Sequence, residues 1–233
     1  MLTPHLCLTG LLLLPGAPAP APAPAPADST AAAAETSAAQ AVALAKKIQA
    51  RYGAWDDYSA DFIQRYTRVA LSRTVERRGQ LAFARPGRFR IEYTKPTRTL
   101  WVADGQRMYV YEPAERQVFV QEDYDAEGNQ SAMAFLHGKG DLADAYGIER
   151  LERGTHGIDK DLALLELVPK KDTSYRKLVL GVVPKTGEVR ETWLFTTGGD
   201  INRWILRDGK VNAGVEADRF RFTPPEGVEV IRR

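Results

Sequence analysis

The chain has 233 residues, of which 44% are hydrophobic and 27% charged, with a formal net charge of +2. That is the composition of an ordinary globular protein of one domain. So small a net charge gives no sign of the clustered basic surface that nucleic acid requires, and no nucleic-acid partner is expected.

The N-terminus stands apart. The apolar run Leu6 to Leu14 is too short to span a bilayer as a helix, which takes about 20 residues. It reads as the core of a signal peptide over residues 1–27, with Ala-Pro repeats supplying small residues before Asp28. Only His5 and the terminal amine supply positive charge ahead of the run, where Lys or Arg is usual. The single cysteine, Cys7, lies inside the run, so the mature chain would have no thiol to misoxidise in an oxidising compartment. Cys7 also lacks the Leu-x-Gly/Ala context of a lipid-acceptor cysteine. The expectation is an exported, soluble protein with a flexible Pro-, Ala- and Ser-rich linker at 28–37 and one domain over 38–233.

From Ser37 to Tyr52, Val42, Ala45, Ile48 and Tyr52 recur at helical spacing, and Gly53 follows as a stop. The period then changes to two. Strands are expected near Tyr58–Val69, Arg73–Ala84, Arg88–Thr94, Arg98–Ala103, Arg107–Tyr111 and Gln117–Glu122. Turn signals separate them, among them Arg85-Pro86-Gly87, Lys95-Pro96-Thr97 and the hairpin dipeptide Asp104-Gly105. Two short helical stretches, Ser131–His137 and Asp141–Tyr146, interrupt the pattern. Strands then resume at Leu162–Pro169, Tyr175–Val183, Val189–Thr196, Asn202–Arg207 and Ala217–Thr223. Closely spaced turns without intervening helices imply an antiparallel sheet. So many inward-alternating aromatics need a cover. The expected fold is therefore mainly β with α: a curved antiparallel sheet, barrel-like, with helices across its concave side and an apolar cavity between them.

Catalytic groupings are sparse. His5, His137 and His156 are far apart and no cysteine pairs with them, so zinc-ligand spacing is missing. There is no phosphate-binding glycine loop and no G-x-S-x-G elbow. Asp56-Asp57 would face opposite sides of a strand and reads as a solvated or turn-capping pair. No enzyme activity, cofactor or metal is expected.

Several fragments nevertheless occur in a telling order: YSADFIQ (58–64), RGQLAFARPGRFRIEY (78–93), LWVADGQRMYVYEP (100–113), FLHGKGDL (135–142) and FRFTPPEGVEVI (220–231). Together they resemble the LolA-type periplasmic carriers of outer-membrane lipoproteins. The resemblance implies an incomplete antiparallel β-barrel covered by a small helical lid. It implies a periplasmic chaperone, acting as a monomer. Such a carrier takes acylated lipoproteins as cargo from an inner-membrane lipoprotein-releasing ABC transporter and hands them to an outer-membrane lipoprotein receptor. The same half-barrel can also serve as a carrier or sensor of other lipids or glycolipids.

By the same resemblance Arg85 matches the arginine that hydrogen-bonds lid carbonyls and holds the empty cavity shut. The alternative is an ordinary surface pair with Glu92 or Glu76. Phe89, Ile91 and Tyr93 would line the concave face, or simply pack a core. Met133, Phe135 and Leu136 would be the lid's inward residues. Many relatives of this type carry Trp where this chain has Ile91, and Trp101 on the neighbouring strand is the candidate compensation.

Overall fold

The computed structural model describes residues 27–124 and 142–232. One long helix, α1 (Ala27–Gly53), precedes six strands: β1 (Asp57–Arg68), β2 (Arg73–Ala84), β3 (Arg88–Lys95), β4 (Thr99–Asp104), β5 (Met108–Glu112) and β6 (Gln117–Gln121). A single-turn helix, α2 (Leu142–Ala145), leads into β7 (Tyr146–Leu151), β8 (Ala163–Pro169), β9 (Tyr175–Val182), β10 (Val189–Thr196) and β11 (Ile201–Val211), and β12 (Glu229–Arg232) closes the chain. All twelve strands form one curved, open sheet in the order β12-β6-β5-β4-β3-β2-β1-β11-β10-β9-β8-β7.

Four expectations need correction. The sheet is not wholly antiparallel, because β12 runs parallel to β6. The helix does not begin at Ser37 but at Ala27, through the stretch read as a linker. Residues 27–39 are rich in Ala, the strongest helix former, and lack the Pro that dominates the preceding tract. Ala217–Phe220 is a 3-10 turn rather than the start of a strand. Its alternating Phe220 and Phe222 instead pack outward-facing strand residues: Phe220 covers Ala82 and Ala84, and the Phe222 ring lies 5.5 Å from Tyr109 and 5.6 Å from Tyr111. Finally, β7 and β12 are strands where none was expected. Glu149 and Arg150 mask the alternation in one, and the other is only four residues long.

Strand alternation gives the sheet two distinct faces. Tyr58, Ala60 and Phe62 of β1 point one way, together with Leu81 and Phe83 of β2, Phe89 and Tyr93 of β3, Leu165 and Leu167 of β8, Leu178 and Leu180 of β9, and Trp204 and Leu206 of β11. Ala41, Leu44, Ala45, Ile48 and Tyr52 of α1 pack into the same buried cluster. A helix of 27 residues is about 40 Å long, enough to lie across the hollow of the curled sheet. Its middle is tied to β7, where Arg150 donates to the side-chain oxygen of Gln40.

Two close approaches fix this packing. A side chain at Gly79 would meet the Glu92 carbonyl and the Phe62 ring, so only glycine lets Phe62 and Tyr93 pack edge to face at 5.3 Å over that point. Gly187, in the β9–β10 turn with φ +70°, lies where a Cβ would come 2.7 Å from the Lys47 carbonyl of α1. Helix and turn are further tied by Lys47 Nζ donating to the Pro184 carbonyl at 3.0 Å. The Val189 N–H donates to the Tyr52 hydroxyl, also at 3.0 Å.

Candidate functional site

The concave face is not uniformly covered. Toward β8, β9 and β11, Leu165, Leu167, Leu178, Leu180, Trp204 and Leu206 are buried in one cluster with α1, while Tyr146 and Ile148 of β7 and Leu194 of β10 pack against it half-buried. Toward β3–β6 and β12 a second apolar wall continues, at lower burial. The ladder registers align Leu81, Ile91, Trp101, Val110, Phe119 and Ile231 as one row across β2, β3, β4, β5, β6 and β12. Leu81 is buried, but Ile91, Val110, Phe119 and Ile231 are only half-buried and Trp101 is 37% exposed. Cross-strand neighbours share a face, so Trp101 stands on the concave side with Ile91. Ala103, two residues along β4, confirms it by packing into the central cluster.

A pocket of about 490 Å³ opens against this wall, lined among the described residues by Met108, Val110, Phe119, Val120, Gln121 and Asp123. Small-molecule sites span roughly 300–1,000 Å³. A second recess of about 580 Å³ is bounded by Gln106, Arg107, Glu122, Asp123 and Tyr124. Its polar lining suits water rather than an acyl chain.

Phe89 and Tyr93 also face inward, at 7% exposure each, as part of the packed core rather than the open wall. Phe62, Tyr93 and Trp204 form one aromatic group, with Phe62 and Trp204 at 4.7 Å. Burial pushes the Tyr93 phenol up to about 12, against the smaller opposing pull of Arg77, whose guanidinium lies 5.6 Å from the ring centre. Burial likewise raises Tyr52 and Tyr58 above the ordinary phenol range. Met133, Phe135 and Leu136 lie outside the described residues.

Arg85 sits in the β2–β3 turn, its own N–H donating to the Asp56 carbonyl at 2.9 Å. Its guanidinium reaches the C-terminal end of α1. Nη1 donates to the Gly53 carbonyl at 2.9 Å and Nη2 to the Tyr52 carbonyl at 3.1 Å, while the group lies 5.0 Å from the centre of the Trp55 ring. The last carbonyls of a helix have no partner within it, and they carry the negative end of its dipole. A fixed fork of donors that keeps its charge is suited to them. The alternative carboxylates are engaged elsewhere: Glu76 pairs with Arg65 and Arg78, and Glu92 with Arg90.

Asp57 has a structural task. Its carboxylate accepts the N–H groups of Ala213 and Gly214 at 2.8 and 3.0 Å, capping the turn after β11. His156 stacks near Trp193 and Phe195, and burial holds its imidazole below the usual range. Among the described residues no group of His, Cys, Asp or Glu is arranged to hold a metal ion.

Sequence reasoning missed Val110 and Phe119 as wall residues and Tyr52 and Trp55 as partners of Arg85. The wall was readable in principle from the alternation of β5 and β6. The Arg85 contacts were not, because they join a side chain to backbone 32 and 33 positions away.

Residues 54–223 match the family described as "Outer membrane lipoprotein carrier protein LolA". The chain belongs to this family. Its members are carriers rather than enzymes. An outer-membrane lipoprotein carrier protein of Chromobacterium violaceum is 34% identical over 174 residues, 74% of this chain and 80% of the relative. One from Chromohalobacter salexigens is 30% identical over 190 residues, 81% of this chain and 86% of the relative. Among solved structures, an uncharacterized conserved protein of Thermus thermophilus has the same fold, with a TM-score of 0.50 at 14% identity, covering 81% of this chain and 99% of that one. The family match begins after α1. The alignment with the Chromohalobacter salexigens relative, covering 81% of this chain, is long enough to reach into that helix. None of the described helices is long and apolar enough to cross a membrane.

Proposed function

We propose that this chain is a periplasmic carrier that shields the acyl chains of lipoproteins against its concave face. In this reading it accepts cargo from an inner-membrane ABC transporter, crosses the periplasm as a monomer and delivers to an outer-membrane receptor. The observation that carries the reading is the half-open apolar wall of Ile91, Trp101, Val110 and Phe119 beside a helix-sealed core, with a pocket of about 490 Å³ between strand wall and solvent. The family names of its relatives agree with it.

The energetics suit loading and release. Each buried methylene gains about 0.8 kcal/mol, so a few extended acyl chains would drive strong retention unless something opposed them. Here the opposing contact is the Arg85 clamp on α1. Two charge-assisted hydrogen bonds, partly exposed, and a ring contact together hold on the order of 2–3 kcal/mol. Burial of three or four methylenes matches that amount at about 0.8 kcal/mol each. That balance concerns the clamp alone and not the buried layer of Ala41, Leu44, Ala45, Ile48 and Tyr52. Cargo along the open wall can therefore release the Arg85 contacts while α1 stays packed, and the clamp re-forms on unloading without an energy source of its own.

The test is to express the full chain in a diderm host, isolate it from the periplasm and identify bound material by mass spectrometry. Triacylated lipoproteins on the wild type, with altered retention in Arg85→Leu, are the expected result. Phospholipid or glycolipid alone would overturn the lipoprotein assignment in favour of a general lipid carrier. No acyl ligand under any condition would overturn both.

A further inference from the structure

The β1–β2 hairpin is an arm. On one side β3 ends at Lys95, opposite Arg78, so residues 73–77 of β2 have no β3 partner and the arm reaches about 17 Å beyond that strand. On the other side β11 supports it as far as Thr67, opposite Ile201. A 3-10 turn, Val69–Leu71, forms the tip, closed by the Ser72 N–H donating to the Val69 carbonyl at 3.0 Å. Asp200 braces its base, accepting from the Tyr66 hydroxyl at 2.9 Å and the Val69 N–H at 3.2 Å.

This braced tip is apolar. Val69 is 51% exposed and Leu71 is 64% exposed, the two most exposed large hydrophobic side chains among the described residues. Behind them stands a basic collar. Arg68 and Arg73 are directly opposite in the ladder, an arrangement that destabilises a hairpin. Glu76 is taken by Arg65 and Arg78, which leaves Arg68, Arg73 and Arg77 without a carboxylate partner among the described residues. Charges that blunt an unpaired strand edge would account for Arg73 and Arg77. They do not account for two bare apolar side chains at the end of the same arm.

We infer that the Val69–Leu71 tip docks on the surface of an anionic phospholipid bilayer. Apolar side chains enter the interface while the arginines behind them meet the headgroup phosphates, the arrangement of peripheral membrane anchors. Charge complementarity selects this occupant: the collar is cationic, and arginine forks match phosphate oxygens. With so few groups engaged, the contact is weak and reversible, as suits a protein that must leave again.

The full chain is mixed with vesicles of phosphatidylcholine, with and without about one-third phosphatidylglycerol, and bound protein is read by flotation. Wild type is expected on the anionic vesicles at least about fivefold above the neutral ones, with binding that weakens as salt is raised. The double variant Val69→Ser/Leu71→Ser and the double variant Arg68→Gln/Arg73→Gln should each lose most of that excess, by about fivefold. These residues are exposed, and thermal unfolding curves matching wild type would show that the fold is intact. Every variant keeps residues 1–26, so the difference isolates the tip. Leu71→Trp supplies a second readout: its fluorescence should be quenched by brominated anionic lipid. Equal binding to both vesicle types, or binding that both double variants leave unchanged, overturns the inference. Loss in the arginine variant alone would make the contact purely electrostatic and overturn the docking of the apolar Val69–Leu71 tip. Cargo retention, read by mass spectrometry in the same tip variants, should equal wild type, so failure here is distinct from failure of the carrier reading.

Discussion

The two halves of the concave face are built from the same kind of strand yet finished differently. Under α1, Leu165, Leu178 and Leu180 are almost wholly excluded from solvent, and the helix contributes its own Ile48 and Tyr52 to the layer. Beside it, Ile91, Val110 and Phe119 alternate in the same way but remain half-buried, and Trp101 is exposed. Alternation specifies which face a residue takes. It does not specify whether a second layer arrives to cover that face. One half of this sheet is core in the ordinary sense, and the other is apolar surface held ready.

The sharpest way to break the comparison is truncation in each half. Leu180→Ala, in the sealed half, should cost about 3 kcal/mol through lost burial and the cavity left behind, read by urea unfolding. An equally large loss from Val110→Ala would show that the open wall is packed core after all. The next largest effect is a pH dependence. Tyr93 titrates at about 12 in the folded chain against 10.0 for a free phenol. Between those values the folded state holds a proton that the unfolded state has released, so stability is full below pH 10 and falls as pH rises toward 12. The loss is on the order of 2 kcal/mol for this group, with Tyr52 and Tyr58 adding in the same direction. Denaturant titrations from pH 9 to about 12 measure it, and Tyr93→Phe should flatten the slope.

Arg85→Leu comes third. It should lower global stability by about 1–2 kcal/mol while speeding amide exchange in the last turns of α1 well beyond that in β8 and β9. Uniform protection across helix and sheet in the variant would show that Arg85 is not what holds the helix end. Smallest in stability is Val110→Ala, at under about 1 kcal/mol because the side chain is already partly wet. Its signature lies elsewhere: a several-fold weaker uptake of an apolar fluorescent probe, which Leu165→Ala should not reproduce.

Much of the sheet could be read from local pattern. The bounds of β2 and β10 coincide with the alternating runs that announced them, and the turns at Pro86-Gly87 and Asp104-Gly105 fall where glycine freedom and proline restriction place them. Three failures share one physical cause, which is that tertiary context outranks pattern. Phe220 and Phe222 alternate like a strand because they cover the convex face from a 3-10 turn and an extended tail. β7 carries Glu149 on its outer face, Arg150 on the face turned to α1 and a glycine within, so its signal is weak until β8 supplies a partner. The side of Trp101 could not be deduced from its own strand and becomes plain only from the ladder with Ile91. Arg85 was singled out from sequence, but its described partners are main-chain carbonyls, which have no signature in a string of side chains.

The order of strands ends at β12 on one side and β7 on the other, with no ladder joining the two. In a closed barrel, strand number and stagger fix the circumference. Here the girth is a free variable. On the carrier reading proposed above, the edges would move apart or together with every inter-strand hydrogen bond kept, so the hollow would take up one, two or three guest chains at the cost of bending rather than of breaking. A receptacle of adjustable bore needs no separate fit for each passenger.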